Sequence, residues 1–173
     1  DSANLQDLLI HTVKGVSLAA QNSNSSDKEV SHYVTKALFT TITNVSFDDD
    51  CLVDVIKQGL SLRDTIKDKY NVTGDLHERA AWNAETKEEF IKKAETIGVL
   101  AAENEDVRSL RELLIYGLKG VAAYVDHAAV LGFEDQSVFD YLVEGMASTT
   151  KDLSLDEMVA KVMKSGEAAV GAM

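Results

Sequence analysis

The sequence has no proline among its 173 residues and a single cysteine, Cys51. The lack of proline fits a nearly all-helical chain, because proline breaks helix interiors. One cysteine excludes an intrachain disulfide, a four-cysteine iron–sulfur site within the chain and a structural zinc site of the usual kind. We therefore expect a reducing compartment and predict a cytoplasmic protein.

Basic residues are also scarce: the chain has 17 Lys and Arg against 29 Asp and Glu, which gives a net charge of −12. No block of Lys and Arg offers the positive surface that nucleic acids or anionic membranes need. No run of about 18 apolar residues predicts a membrane span. The aromatic content of 6% is low for a β-sandwich and ordinary for packed helices. The composition predicts an acidic helical protein with neither nucleic acid nor membrane as partner.

One stretch of the chain occurs twice, at residues 5–16 and, 105 residues later, at 110–121, with seven of twelve positions identical. Its apolar positions have the spacing of one helix face. The repeated positions include Leu5, Leu8, Leu9 and Gly15 in the first copy and Leu110, Leu113, Leu114 and Gly120 in the second. We predict an all-α fold with two tandem three-helix bundles, residues 1–70 and 105–173, joined by a connecting helical segment, residues 71–104.

Helix starts and ends carry their own signals. Capping boxes are predicted at Ser26, Thr86, Ser109 and Ser154, each with a glutamate three residues later, and Asp48 to Asp50 place negative charge at a helix start. Residues 21–26 are expected to form a loop, and Gly132 is expected to end the helix that contains the second copy.

A Lys-Gly pair lies inside both copied helices, although a glycine within a helix costs about 1 kcal/mol relative to alanine. The favoured explanation is close helix–helix approach at Gly15 and Gly120, with no room for a Cβ atom. The alternative is a backbone that makes room for a cofactor or a neighbouring domain.

A Glu-x-x-His spacing at Glu29 and His32 places a carboxylate and an imidazole on one helix face. Di-iron bundles use two such motifs and two further carboxylates. None of the other histidines, His11, His77 and His127, has a glutamate three residues before it. A di-iron site with Glu29 and His32 as metal ligands is therefore a weak alternative.

Other distinctive side chains favour structural roles. His11 corresponds to Tyr116 in the second copy, which predicts a polar-tipped ring at a boundary, and Cys51 is predicted to be a partly buried apolar residue. Trp82 is interpreted as a bundle anchor. Three methionines are interpreted as core filler: Met146, Met158 and Met163. The residues alone predict a duplicated helical scaffold with no catalytic, cofactor-binding or metal-binding residues.

Two sequence segments are similar to a known family: residues 3–10 with Lys14-Gly15, and residues 104–120 with 122–124 and 127–128. Both resemble segments of the hybrid cluster protein (prismane) family, the hydroxylamine reductases. The resemblance covers essentially all 173 residues and implies the N-terminal helical domain of that family, which is built of two three-helix bundles. For a full-length parent it implies reduction of hydroxylamine to ammonia, or of nitric oxide.

The resemblance also implies where the cofactors of such a parent lie. Members of the family bind a cubane iron–sulfur cluster through a cysteine-rich motif before the position of Asp1, and a hybrid iron–sulfur–oxygen cluster in later α/β domains. No residue of this chain matches a known cluster ligand. We therefore expect a helical segment of a larger enzyme that is inactive alone and packs on the cluster-binding domains of the same parent chain. A free-standing helical adaptor is the alternative, and the electron donor stays unknown.

Overall fold

The computed structural model describes residues 2–23, 27–42, 46–73, 76–102 and 104–173. Within these ranges the chain forms eight α-helices and one 3₁₀ helix and contains no strand, which confirms the all-α prediction. The α-helices are α1 Ser2–Asn22, α2 Lys28–Thr40, α3 Asp49–Lys69, α4 Glu78–Ala81, α5 Lys87–Ala94, α6 Glu105–Val130, α7 Gln136–Ser148 and α8 Leu155–Gly171, and the 3₁₀ helix is Val99–Ala101.

Three of the predicted helix starts are confirmed. Asp48 is the N-cap of α3, and its side chain accepts hydrogen bonds from two backbone amides of the first turn. The capping boxes at Thr86 and Ser154 are both complete, with the glutamate side chain reaching back to the N-cap backbone. Gly132 has φ +86°, the left-handed conformation that follows a helix end, directly after the C-cap of α6.

Two predicted helix starts are wrong. Helix α2 has Asp27 as its N-cap, whereas Ser26 lies outside the described residues. Helix α6 begins at Glu105 with Asn104 as its N-cap, so Ser109 lies inside the helix rather than at its start. The loop predicted at residues 21–26 begins later than expected, because α1 continues to Asn22. Residues 24–26 of this predicted loop lie outside the described ranges.

The two sequence copies pack on each other in a symmetrical way. Helix α1 packs on α3 as α6 packs on α8, and α2 packs across onto α6 as α7 packs across onto α1. Helices α2 and α7 also pack on each other, so the two copies are in direct contact. Residues of both copies contribute to one hydrophobic core. The boundaries of the two tandem bundles stay a prediction, since the packing joins both copies through a shared core.

The connecting segment makes the two copies differ in burial. Helices α4 and α5 pack against α1. The first-copy residues Leu5, Leu8 and Leu9 are completely buried. In the second copy Leu114 is buried, Leu110 is half-buried and Leu113 is 52% exposed. The two copies therefore share a sequence pattern without sharing the same surroundings.

Several side-chain predictions need correction. His11 is buried while Tyr116 is 78% exposed, so the two do not share a boundary position. Cys51 is exposed, not partly buried, because it lies in the first turn of α3 on its solvent side. Among the three methionines, Met146 and Met158 are buried as predicted, whereas Met163 is exposed on α8.

Trp82 fills the predicted anchoring role between the connecting segment and the core. Its ring lies edge-on to His11 and 6.1 Å from the ring of Phe90, centroid to centroid. Its backbone carbonyl accepts a hydrogen bond from the buried guanidinium of Arg63, which also binds Asp64. This buried arginine, which the sequence pattern does not reveal, ties α3 to the residues after α4.

Helix α6 is long and apolar enough to cross a membrane by length and composition, although a third of its most apolar window is buried inside the protein. Core helices of soluble proteins meet the same criterion, so this feature is weak evidence for a span. Helix α6 packs against α2, α7 and α8.

Candidate functional site

A charged cleft of about 400 Å³ lies between α1, α6 and the connecting segment. Six basic side chains line it, although the protein as a whole is acidic: Lys14, Arg79, Lys93, Arg108, Arg111 and Lys119. The acidic side chains that line it are Asp7, Glu78 and Glu112. The cleft therefore concentrates positive charge in a protein whose net charge is strongly negative.

The two lysines of the Lys-Gly repeat both reach this cleft. Lys14 projects from α1 and Lys119 from the corresponding position of α6. The ammonium group of Lys119 donates a hydrogen bond to the carbonyl oxygen of Thr41 at 3.2 Å. Burial lowers the pKa of Lys119, and burial together with the nearby charge of Arg79 lowers the pKa of Lys14 to about 8. Within the described part of the chain, Lys14 has neither a hydrogen-bond acceptor nor an ion-pair partner.

Two guanidinium groups complete the positive side of the cleft. The Nε atoms of Arg79 and Arg111 are buried and have no hydrogen-bond acceptor among the described residues. Arg111 donates through Nη2 to the carbonyl oxygen of Lys151 at 3.1 Å, which fixes its position against the end of α7. Burial and the proximity of Arg111 lower the pKa of Arg79. These two arginines therefore present unused donors in a partly desolvated site.

The acidic side chains take different parts in the cleft. Glu78 forms an ion pair with Lys93, and its other oxygen lies 3.6 Å from Nε2 of His11. Burial raises the pKa of Asp7. Asp7 and Glu112 form no ion pair with the described residues, and they act on Lys14 and Lys119 only at longer range.

His11 lies at the back of the cleft and is 4% exposed. Its ring contacts Trp82 edge-on at 5.9 Å between centroids. Burial lowers the pKa of His11 to about 3, and the positive charges of Arg79 and Lys93 act in the same direction, while Glu78 opposes them. The edge-on packing of a neutral imidazole on an indole is a structural arrangement.

The Glu-x-x-His motif lies at another place, where α2 meets the residues before α7. Nε2 of His32 lies 3.0 Å from Oε1 of Glu134, and its ring stacks on Phe139. Lys28 pairs with the same Glu134 at 2.5 Å, and Glu29 is exposed in the first turn of α2. Over the described residues no three His, Cys, Asp or Glu side chains gather in a way that could hold a metal ion. The di-iron alternative with Glu29 and His32 therefore stays a prediction without further support.

The iron–sulfur clusters implied by the family resemblance do not fit the residues of this chain. A cubane cluster needs four cysteine thiolates, and the chain supplies the exposed Cys51 alone. No cluster of metal-ligating side chains occurs in the described ranges that could replace them.

The two glycines of the repeat, Gly15 and Gly120, differ in how closely other atoms approach them. A Cβ atom at Gly15 would lie 2.2 Å from the backbone carbonyl oxygen of Arg79, so the close-approach prediction is confirmed there. A Cβ atom at Gly120 would meet no atom within 4 Å among the described residues, so the same prediction is wrong for the second copy. The approach at Gly15 places Arg79 beside Lys14 and so shapes the cleft.

One signal for this cleft is present in the repeated sequence. The lysine before each repeated glycine recurs at the same register, and equivalent lysines on two packed, symmetry-related units point into a shared space. Arg79 and Arg111 gave no comparable signal, because they come from distant parts of the chain.

The fold and its cleft define an internally duplicated all-helical domain whose described residues assemble no metal-binding group. The family model of the Prismane/CO dehydrogenase family matches residues 1–173, and the chain belongs to this family. This confirms the resemblance seen in the repeated phrases.

Relatives match the whole chain. It is 51% identical to a hydroxylamine reductase of Desulfosudis oleivorans and 48% identical to one of Desulfitobacterium hafniense, each over 100% of this chain and 33% of the relative. A hydroxylamine reductase of Nitratidesulfovibrio vulgaris is 45% identical over 100% of this chain and 34% of its own length. The chain thus spans about a third of the curated relatives that it matches.

Proposed function

We propose that this chain is the helical part of a cytoplasmic hydroxylamine reductase of the hybrid-cluster type and that it is not catalytic by itself. The observation that carries the proposal is a 51% identical match to a hydroxylamine reductase over every residue, confined to a third of that relative. Its part in the larger enzyme is to pack against the cluster-binding domains and to shield them from solvent.

Exposed apolar side chains support this packing role. Helix α6 has a stripe of Leu113, Tyr116 and Tyr124, which are 52%, 78% and 50% exposed and lie on one helix face. Gly120 lies within this α6 stripe and leaves open space, which fits the alternative that the glycine makes room for a neighbouring domain. Exposed apolar patches of this kind are typical of surfaces that another protein surface covers.

The α8 stripe has the same character. Leu155, Val159 and Met163 follow each other at four-residue spacing and are 45%, 46% and 69% exposed. The corresponding helix of the first copy, α3, buries Leu52, Val53 and Ile56 instead. The second copy therefore supplies the surface that we assign to the cluster-binding domains.

The reaction that we assign to the larger enzyme breaks the N–O bond of hydroxylamine. Two electrons and two protons convert hydroxylamine to ammonia and water, and the iron–sulfur clusters of such an enzyme supply the electron-transfer chemistry. The chain has a single cysteine, and its described residues gather no group of metal-ligating side chains, which supports our assignment of a structural contribution. Nitric oxide reduction is the other activity that the family resemblance implies for a parent.

A chimera tests the proposal directly. This chain replaces the matching third of the Desulfosudis oleivorans hydroxylamine reductase, and ammonia formation from hydroxylamine is measured with reduced methyl viologen as the electron donor. We expect ammonia from the chimera and none from the 173-residue chain. Ammonia from the chain alone would show that it is catalytic. An inactive chimera that assembles fully with iron would contradict the assignment to this enzyme.

Two variants of the chimera test the packing surface. Leu113→Asp and Tyr116→Asp, each in the α6 stripe, should prevent assembly and lower the yield of iron-loaded enzyme. Lys57→Asp, which changes an exposed residue of α3, is the control and should leave assembly unchanged. The intact mass of the native protein decides against the adaptor alternative if it is several times the 18.8 kDa of this chain.

A further inference from the structure

We propose that the cleft around Lys14, Arg79 and Arg111 binds a small inorganic oxyanion of the phosphate or sulfate class. This site is independent of the hydroxylamine chemistry proposed above. It rests on cations that converge in one cavity and keep donor groups without an acceptor among the described residues.

The first observation is the number of donors that stay unused. The Nε atoms of Arg79 and Arg111 are buried without an acceptor, and Lys14 has no hydrogen-bond or ion-pair partner among the residues the structure describes. Leaving a buried cationic donor unsatisfied is costly, because the group loses its hydration without a replacement. Two such guanidinium groups and the half-buried, unpaired ammonium of Lys14 line one cavity of about 400 Å³, where one anion could accept from all three.

The second observation is the charge balance of the cavity. Six basic and three acidic side chains line it, which leaves an excess of three positive charges. Glu78 neutralises Lys93 by direct contact, whereas Asp7 and Glu112 stay out of ion-pair range of every lining cation in the described ranges. The two unpaired carboxylates limit the charge that the cavity accepts, so a singly or doubly charged anion fits better than a highly charged polyphosphate.

The third observation is the identity of the donors. A guanidinium presents its N–H groups in a planar fork that matches two oxygens of an oxyanion, and an ammonium adds a point charge that tolerates several geometries. Arg111 is held in place by its hydrogen bond to the Lys151 carbonyl, and Nη1 of Arg79 lies 3.3 Å from Nε2 of His77. Both guanidinium groups therefore have one contact that orients them while their Nε donors stay unused. Burial and the neighbouring Arg79 lower the pKa of Lys14, and the more distant carboxylates of Glu112 and Asp7 oppose this shift without cancelling it.

Calorimetric titration of the 173-residue chain with phosphate at pH 7, at constant ionic strength maintained with chloride, tests the site. We expect saturable binding of one phosphate per chain and competition by sulfate. Lys14→Met and Arg111→Met should each weaken binding by about tenfold or more, because each removes a charged hydrogen bond to the anion. Lys57→Met, which removes an exposed lysine of α3, should bind phosphate as the unchanged chain does.

Folding is controlled in the same experiment. Circular dichroism confirms the helical content of each variant, and Arg111→Lys serves as a milder second variant that keeps the charge and loses the fork. The thermal midpoint of the unchanged chain should rise with phosphate and stay constant with equivalent chloride. Absence of saturable heat together with an unchanged midpoint would overturn the proposal. Equal phosphate binding by all variants would also overturn it, because it would show general charge screening.

Discussion

The α-carbon of Gly15 faces the backbone carbonyl oxygen of Arg79 so closely that a Cβ atom would lie 2.2 Å from that oxygen. Helices α1 and α4 therefore touch without an intervening side chain. The contact holds α4 against α1 and places the backbone of Arg79 beside the cleft that its side chain lines. Its counterpart in the second copy, Gly120, faces open space.

Alanine at these two positions should have opposite effects. Gly15→Ala forces α4 away from α1, because the clashing atom belongs to the backbone and cannot rotate aside, and should lower the free energy of unfolding by about 1–3 kcal/mol. Gly120→Ala meets no neighbour and gains helix propensity, so it should raise the free energy of unfolding by up to about 1 kcal/mol. Urea unfolding midpoints measure both effects. Equal shifts in the same direction would contradict the difference between the two copies.

The local elements could be predicted from sequence because their signals are local. Absence of proline, the 3.6-residue pattern and the caps at Asp48, Thr86 and Ser154 identify most helices and several of their starts. The start of α6 is harder to predict because two signals compete, a capping-box pattern at Ser109 and an asparagine at Asn104, and the Asn104 side chain is the one that caps the helix.

The cleft could not be predicted because its parts meet only through tertiary packing. Lys14, Arg79 and Arg111 come from α1, α4 and α6, and their proximity depends on how α4 lies against α1. The same packing explains why Leu8 is buried and its counterpart Leu113 is exposed, since α4 and α5 cover the first copy. A repeat in sequence reveals equivalent positions and does not reveal what covers them.

Lys14 should make stability depend on pH in the alkaline range. Its pKa is lowered to about 8 in the folded protein, below the ordinary lysine value of 10.5, chiefly by burial. Between these two values the unfolded chain binds more protons than the folded chain, so the free energy of unfolding rises with pH. Below about pH 8 the full penalty of the buried charge remains. Lys14→Met removes this penalty and should stabilise the protein at pH 7 by about 2 kcal/mol.

The measurement is urea unfolding of both proteins at pH 7, 9 and 10 without oxyanions in the buffer. The advantage of Lys14→Met should shrink as the pH rises from 8 towards 10.5. A constant difference across this range would show that Lys14 has an ordinary pKa in the folded protein. Loss of stability at pH 7 would show that the ammonium already has a partner.

His11 should make stability depend on pH in the acidic range. Burial lowers the pKa of His11 from its ordinary value of 6.5 to about 3. Between pH 6.5 and pH 3 the imidazole is therefore protonated in the unfolded chain and neutral in the folded protein. The free energy of unfolding therefore falls as the pH falls through this range. His11→Phe keeps a ring against Trp82 and removes the proton uptake. The loss of stability between pH 7 and pH 5 should then be smaller by about 1–2 kcal/mol.

Urea unfolding at pH 7 and pH 5 compares the two proteins. The difference between their slopes reports the His11 imidazole, since all other titrating groups are shared. Identical changes would show that folding does not lower the pKa of His11, as would be expected if the carboxylate of Glu78, 3.6 Å away, compensated for the burial of the imidazole.

Ser154 and Ser109 form a matched pair, because both belong to predicted capping boxes and the structure places just one of them at a helix start. The Ser154 hydroxyl accepts a hydrogen bond from the backbone amide of Glu157 at 3.3 Å, and the Glu157 carboxylate accepts one from the backbone amide of Ser154 at 2.8 Å. Ser154→Ala should therefore lower the free energy of unfolding by about 1 kcal/mol. Ser109 is exposed within α6, so Ser109→Ala should leave it unchanged or raise it by up to about 0.5 kcal/mol through helix propensity.

The effect at Ser154 should also depend on pH. The hydroxyl and the backbone amide of Ser154 lower the pKa of Glu157, so the charged carboxylate stabilises the folded protein at neutral pH. This contribution is lost as the pH falls through the lowered pKa, and the difference between Ser154→Ala and the unchanged protein should shrink there. Thermal unfolding at pH 7 and pH 3 measures the change. If Ser109→Ala destabilised as much as Ser154→Ala, the start of α6 would lie at Ser109, and the residues before it would not be helical.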